Sequence, residues 1–89
     1  MASLYHLVLL NDNHHSFDYV IDMLTTKFPL SEDKAIEHAM DVHMNGRTIL
    51  LTGERVEAET GRDWIEGCGA DPRVVHSKGS MRAIVEPAQ

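Results

Sequence analysis

The sequence predicts an α+β fold of order β-α-α-β-α-β, with a three-stranded antiparallel sheet packed against three helices. Three observations predict it. Apolar, β-rich runs lie near the start, the middle and the end of the chain, at Leu4 to Leu10, Thr48 to Thr52 and Met81 to Val85. Two segments between the first and second runs carry apolar residues at helical spacing, each opened by a serine. The strands and helices are unevenly distributed, which points to an α+β layer.

The elements follow in order. Leu4 to Leu10 is a strand that ends in five polar residues, Asn11-Asp12-Asn13-His14-His15. Ser16 is the expected N-cap of a helix through about Phe28, with Phe17, Val20, Ile21, Leu24 and Phe28 at i, i+3, i+4, i+7 and i+11. Pro29 ends it. Ser31 caps the second helix, and Glu32 and Asp33 complement its dipole. Its expected stripe is Ile36, Ala39, Met40 and His43, with His38 pointing the opposite way, and it stops at Asn45-Gly46. Thr48 to Thr52 is the second strand. Glu54 to about Cys68 is a weaker helix whose Ala58, Gly61, Ile65 and Cys68 share a side, with Trp64 at its edge. Gly61 costs that helix roughly 1 kcal/mol relative to Ala. Gly67, Gly69 and Asp71-Pro72 break the chain, Val74-Val75-His76 forms a short strand that turns at Lys78-Gly79, and Met81 to Val85 is the last strand.

Composition bounds the function. A chain of 89 residues makes a single domain, 1–89. Its 14 acidic and 8 basic residues give a net charge of −6, which disfavours nucleic acid and suits a cationic ligand. Cys68 is the one cysteine, so an internal disulfide is impossible and a reducing compartment is expected. Met1 to Leu10 lacks the basic start of a signal peptide, its apolar run is broken by His6, and nothing reaches transmembrane length. A cytoplasmic protein without membrane attachment is expected.

The polar run after the first strand is the strongest functional signal. A strand-to-helix loop holds acceptors and imidazoles on a rigid frame. Asn11 and Asp12 there, with His43 from the second helix, suit a small cation with several N–H donors. Phe17 and Val20 begin the helix directly after this loop, so they can line a cavity whose mouth is Asn11, Asp12 and His43. A metal site is disfavoured: His38 and His43 stand at i, i+5 and diverge, and adjacent His14-His15 do not share one ion easily. No cofactor is implied, since Gly46, Gly53 and Gly61 are scattered and form no phosphate-cradling loop. His43 and Asp12 would serve as a base and its orienter, but Ser16, Cys68 and Ser80 lie in no recognisable nucleophile elbow. The acids Glu54, Glu57 and Glu59 read as a solvated face.

Residues Leu7 to Asn13, followed by Phe17-Asp18-Tyr19-Val20-Ile21-Asp22-Met23-Leu24, resemble the opening of the ClpS family. Val42-His43 with Gly46 resembles the end of its second helix, Ala58-Glu59-Thr60 the start of its third, and Met81 to Glu86 its last strand. Members are non-enzymatic adaptors that deliver N-degron substrates to a Clp AAA+ protease. The resemblance implies that Asn11, Asp12 and His43 bind a substrate's α-amino group. It implies a pocket for a hydrophobic first side chain (Leu, Phe, Tyr or Trp) lined by Asn13, His15, Phe17, Val20, Ala39, Val42 and Met81. It also implies docking to the N-domain of a Clp-type ATPase. The chain departs from the family pattern at Asn13, His15, Ser16, Phe17 and Ala39, where Asp, Thr, Pro, Met and Met are usual. In the family, Met at the position of Ala39 crowds β-branched first residues, so Ile and Val are expected to be penalised less here. Val56 and Gly61 stand where the family carries its protease-docking Glu and Lys. The alternatives are a small hydrolase or acyl-transfer enzyme using His43 and Asp12, and an acidic protein-interaction domain.

Overall fold

The computed structural model describes residues 3–11, 15–69 and 79–88. The expected Val74-Val75-His76 strand lies outside them. The elements run β1 (Tyr5–Leu10), α1 (Phe17–Lys27), α2 (Glu32–Asn45), β2 (Arg47–Gly53), α3 (Arg55–Glu66) and β3 (Ala83–Pro87). They form a three-stranded antiparallel sheet of order β2-β1-β3.

β1 is the centre of the sheet. It pairs from Tyr5 opposite Gly53 to Leu10 opposite Arg47 on one side, with an irregularity between Leu7 and Val8, and from Tyr5 opposite Pro87 to Leu9 opposite Ala83 on the other. Leu7, Val8 and Leu9 are completely buried in succession, which explains an apolar run without polar alternation. The last strand begins two residues later than expected, at Ala83. The Leu10 N–H still donates to the Arg82 carbonyl at 3.0 Å, so hydrogen bonding runs ahead of the strand proper. Pro87 supplies no N–H and sits on an edge strand, where that omission is tolerated.

Both serine caps form. The Ser16 hydroxyl accepts from the Tyr19 N–H at 3.1 Å, and that of Ser31 from the Lys34 N–H at 3.2 Å. At the start of α3 the Glu57 carboxylate accepts from the Glu54 N–H at 3.3 Å, so part of the acidic run caps a helix as well as facing water.

The buried faces of α1 and α2 are rotated from those expected. On α1 the core residues are Tyr19, Val20, Met23 and Leu24, whereas Ile21 is half-buried and Phe17 exposed. Packed by α2 on one side and α3 on another, the helix needs a wide apolar arc, and its first residue projects past the core. On α2 the buried stripe is Ala35, Ala39 and Val42, while Met40 and His43 are exposed. Small residues at i, i+4 and i+7 let this helix lie close to its neighbours. His38, on the flank opposite His43, is half-buried, and its Nδ1 lies 2.9 Å from Thr48 Oγ1 on β2, within hydrogen-bond distance.

Gly61 is explained by packing. α3 lies against β1 and β3, and a Cβ at Gly61 would stand 2.5 Å from Leu7 Cδ2 and 3.2 Å from Phe28 Cε1. Phe28 in turn meets Trp64 edge-on at 5.7 Å between centroids. Gly61→Ala is therefore expected to destabilise by about 1–3 kcal/mol through overpacking, despite a helix-propensity gain of about 1 kcal/mol. Urea unfolding checks this; a stabilised variant would show that the approach of α3 to β1 does not require glycine.

Candidate functional site

The expected amine-binding residues come from two distant parts of the chain. Asn11 directly follows β1, and His43 lies in the last turn of α2. Backbone bonds bring these ends together. The Asn11 N–H donates to the Gly46 carbonyl at 2.9 Å, and the Gly46 N–H donates to the Val42 carbonyl at 3.0 Å. Gly46 has φ of +85°, the left-handed conformation that ends α2 and that L residues rarely adopt. Asn11 and His43 are both exposed at this junction. Asp12 and Asn13 lie outside the described residues.

Among the other expected pocket residues, Val20, Ala39, Val42 and Met81 are buried in one core cluster. Phe17 is 40% exposed at the first position of α1. His15 bridges two segments: its Nε2–H donates to the Gly79 carbonyl at 2.7 Å, two residues before Met81. Its ring also packs on Tyr19 at 4.6 Å between centroids. Tyr19 carries the bridge further, because its hydroxyl donates to the Gly69 carbonyl at 2.6 Å. Sequence reasoning missed Tyr19. The available signal was its position four residues after His15, one helical turn away.

A second polar cluster lies beside α2, in a cleft of about 500 Å³ lined by Lys34, Glu37, His38, Asp41, Arg47, Thr48 and Ile49. The Thr48 hydroxyl and the Asn45 amide, at 2.6 Å, hold the Asp41 carboxyl below its ordinary range. Burial lowers the His38 pKa against the opposing pull of Asp41 and Glu37. Burial also raises the Cys68 thiol pKa, which makes a reactive thiolate less accessible at neutral pH. Among the described residues, no group of three His, Cys, Asp or Glu side chains is placed to hold a metal, and no helix is long and apolar enough to cross a membrane.

Comparison with known proteins decides the family. The model of the ATP-dependent Clp protease adaptor protein ClpS matches residues 1–70. The chain belongs to the ClpS family. Relatives include the ClpS adapter of Vibrio cholerae, 36% identical over 58 residues, which are 65% of this chain and 55% of that protein. Another is the ClpS adapter of Nautilia profundicola, 41% identical over 50 residues, which are 56% of this chain and 52% of that one. The chain thus spans about half the length of the curated relatives it matches. The structure of Agrobacterium tumefaciens ClpS2 bound to L-phenylalaninamide is similar over 98% of this chain and 99% of that one, with a TM-score of 0.78 and 26% identity. The β-α-α-β-α-β order with three antiparallel strands is the ClpS architecture.

On α3, Val56 and Gly61, expected at the family's docking positions, differ in setting. Val56 is 63% exposed, while Gly61 faces the core.

The His38 pKa yields a stability prediction with a definite sign. Its folded value is depressed, so below the ordinary imidazole pKa of about 6.5 the unfolded chain binds the extra proton. This group therefore favours unfolding as pH falls through about 6.5 and contributes no pH dependence above it. Urea midpoints between pH 7.5 and 5.5 should fall less steeply for His38→Gln than for the wild type. Equal slopes would remove His38 from the acid sensitivity of the α2–β2 seam.

Proposed function

We propose that this chain is a non-enzymatic N-degron recognition module. In this reading residues 1–89 act as one recognition domain that delivers its cargo to a Clp-type AAA+ protease. Asn11, Asp12 and His43 receive the α-ammonium group. Asn13, His15, Phe17, Val20, Ala39, Val42 and Met81 receive a hydrophobic first side chain. The observation that carries the reading is the Asn11–Gly46 backbone bond, which brings the end of β1 to the turn that carries His43. The likeness to a ClpS2 bound to L-phenylalaninamide adds support, since that ligand has a free amine and an apolar side chain.

The chemistry is simple. An α-ammonium has three N–H donors and, with a reference pKa of about 7.7–8.0, stays largely charged at neutral pH. A side-chain carbonyl, a carboxylate and a neutral imidazole supply three acceptors, and the carboxylate adds charge assistance. Capture of an N-terminal amine is a known mode of peptide recognition. Burying an apolar first side chain adds about 1.5–3 kcal/mol. Delivery would use the N-domain of a Clp-type ATPase. Docking through α3 should be weaker than in relatives that carry charged residues at the positions of Val56 and Gly61.

The test is calorimetric titration with Phe-initiated peptides, free and N-acetylated, with recovery of the peptide afterwards. The free peptide should bind and be recovered intact, and acetylation should abolish binding. Asp12→Ala should weaken binding by about 1.5–3 kcal/mol, the worth of a charge-assisted hydrogen bond. Equal affinity for both peptides refutes amine recognition, and peptide cleavage refutes a purely binding role.

Ala39 should set tolerance at the first residue. Replacing Met by Ala beside the ligand's Cβ gives room for branching, and a methylene-scale difference in an apolar pocket is worth about 1–3 kcal/mol. Wild type should therefore accept Ile and Val with a modest penalty relative to Leu, and Ala39→Met should raise that penalty. Ala39 is 1% exposed, so the variant will also be overpacked; the Leu-to-Ile affinity ratio separates selectivity from stability. An unchanged ratio means that Ala39 is not the gate.

A further inference from the structure

α2 carries an exposed apolar pair that the amine site does not use. Met40 and Met44 are 49% and 74% exposed and stand one helical turn apart, on either side of His43 in sequence. At 100° per residue, measured around α2 from buried Ala39, His43 lies at about 40°, Met40 at about 100° and Met44 at about 140°, all in one rotational sense. In the other sense lie buried Val42 and then His38, which is bonded to Thr48 on β2. A ligand with its amine at His43 and its first side chain turned inward toward Ala39 thus meets the β2 seam on one flank and the methionine pair on the other.

We propose that Met40 and Met44 form an apolar ridge that receives the second and third residues of the bound N-degron and favours apolar side chains there. The inference rests on the amine-binding reading above. The dimensions agree: the four residues from Met40 to Met44 rise about 6 Å, and two residues of extended peptide span about 6.6 Å. Phe17, 40% exposed, extends the apolar surface from α1. The short connection from Phe28 to Ser31 folds α1 back on α2, and the two helices pack together. Flexible, polarizable methionines adapt to varied apolar partners, so the preference should be broad across Leu, Met and Phe.

The experiment measures affinities for peptides beginning Phe-Ser-Ser, Phe-Leu-Ser, Phe-Ser-Leu and Phe-Leu-Leu, each free and N-acetylated. Wild type should bind free Phe-Leu-Leu about tenfold more tightly than Phe-Ser-Ser. Met40→Gln with Met44→Gln should bring that ratio to within about twofold. Ile49→Gln, which removes an exposed apolar side chain on β2, should leave the ratio as in wild type. If binding needs the free amine but the wild-type ratio is near one, or the double variant keeps the full ratio, the ridge is refuted and amine recognition stands. If acetylated peptides bind as well as free ones, both are refuted.

Discussion

Gly46 makes two backbone hydrogen bonds that tie distant parts of the chain together. Its N–H closes the last turn of α2 on Val42, and its carbonyl accepts from Asn11, which directly follows β1. Both depend on a φ of +85°. A Cβ at this position would meet nothing within 4 Å, so the demand for glycine comes from the backbone and not from crowding. An L residue held in this region costs roughly 1–2 kcal/mol. Through this turn the helix bearing His43 and the strand leading to Asn11 share one junction, and Arg47 begins β2 immediately afterwards, paired with Leu10. The position of His43 relative to Asn11 is therefore set largely by main-chain geometry.

The rest of the fold supports that junction. β1 is held by a strand on each side and has fully buried residues at Leu7, Val8 and Leu9. Gly61 lets α3 approach Leu7 and Phe28, and the small stripe of Ala35, Ala39 and Val42 does the same for α2. Glycine and alanine at the contacts thus leave the core compact and its edge furnished with larger side chains. Phe17, Met40 and Met44 stay exposed outside that core.

Much of this was legible in the sequence, because strong local signals and the tertiary structure agree. Ser16 and Ser31 cap their helices through their hydroxyls, and Asn45-Gly46 ends α2. Helix faces were less legible. An apolar residue at helical spacing shows that a side can be buried, not which of several adjoining residues is. On α2 the small Ala35 and Val42 won the core, and Met40 and His43 were left on the flank. His38 stands opposite His43, as helical geometry sets it, but the spacing did not announce that β2 returns along that flank and supplies Thr48 as a partner. Gly61 looked like a weakness because propensity is local, whereas its value lies in contacts with Leu7, more than fifty positions away. Of the proposed amine site, the residue types are readable from the chain itself, and Asp12 and Asn13 lie outside the described residues. The junction that brings Asn11 to the end of α2 depends on a long-range backbone bond that no side-chain pattern announces.

The direct measurement is NMR titration of the uniformly 15N-labelled protein with L-phenylalaninamide and with its N-acetylated form. The free amine should shift the His43 ring nitrogens, the Asn11 side-chain amide and the Gly46 backbone amide together, in one saturable process, and the acetylated compound should leave them unmoved. Shifts confined to α3 around Val56 and Trp64, or equal responses to the two compounds, would contradict the assignment of this junction as the amine-binding site.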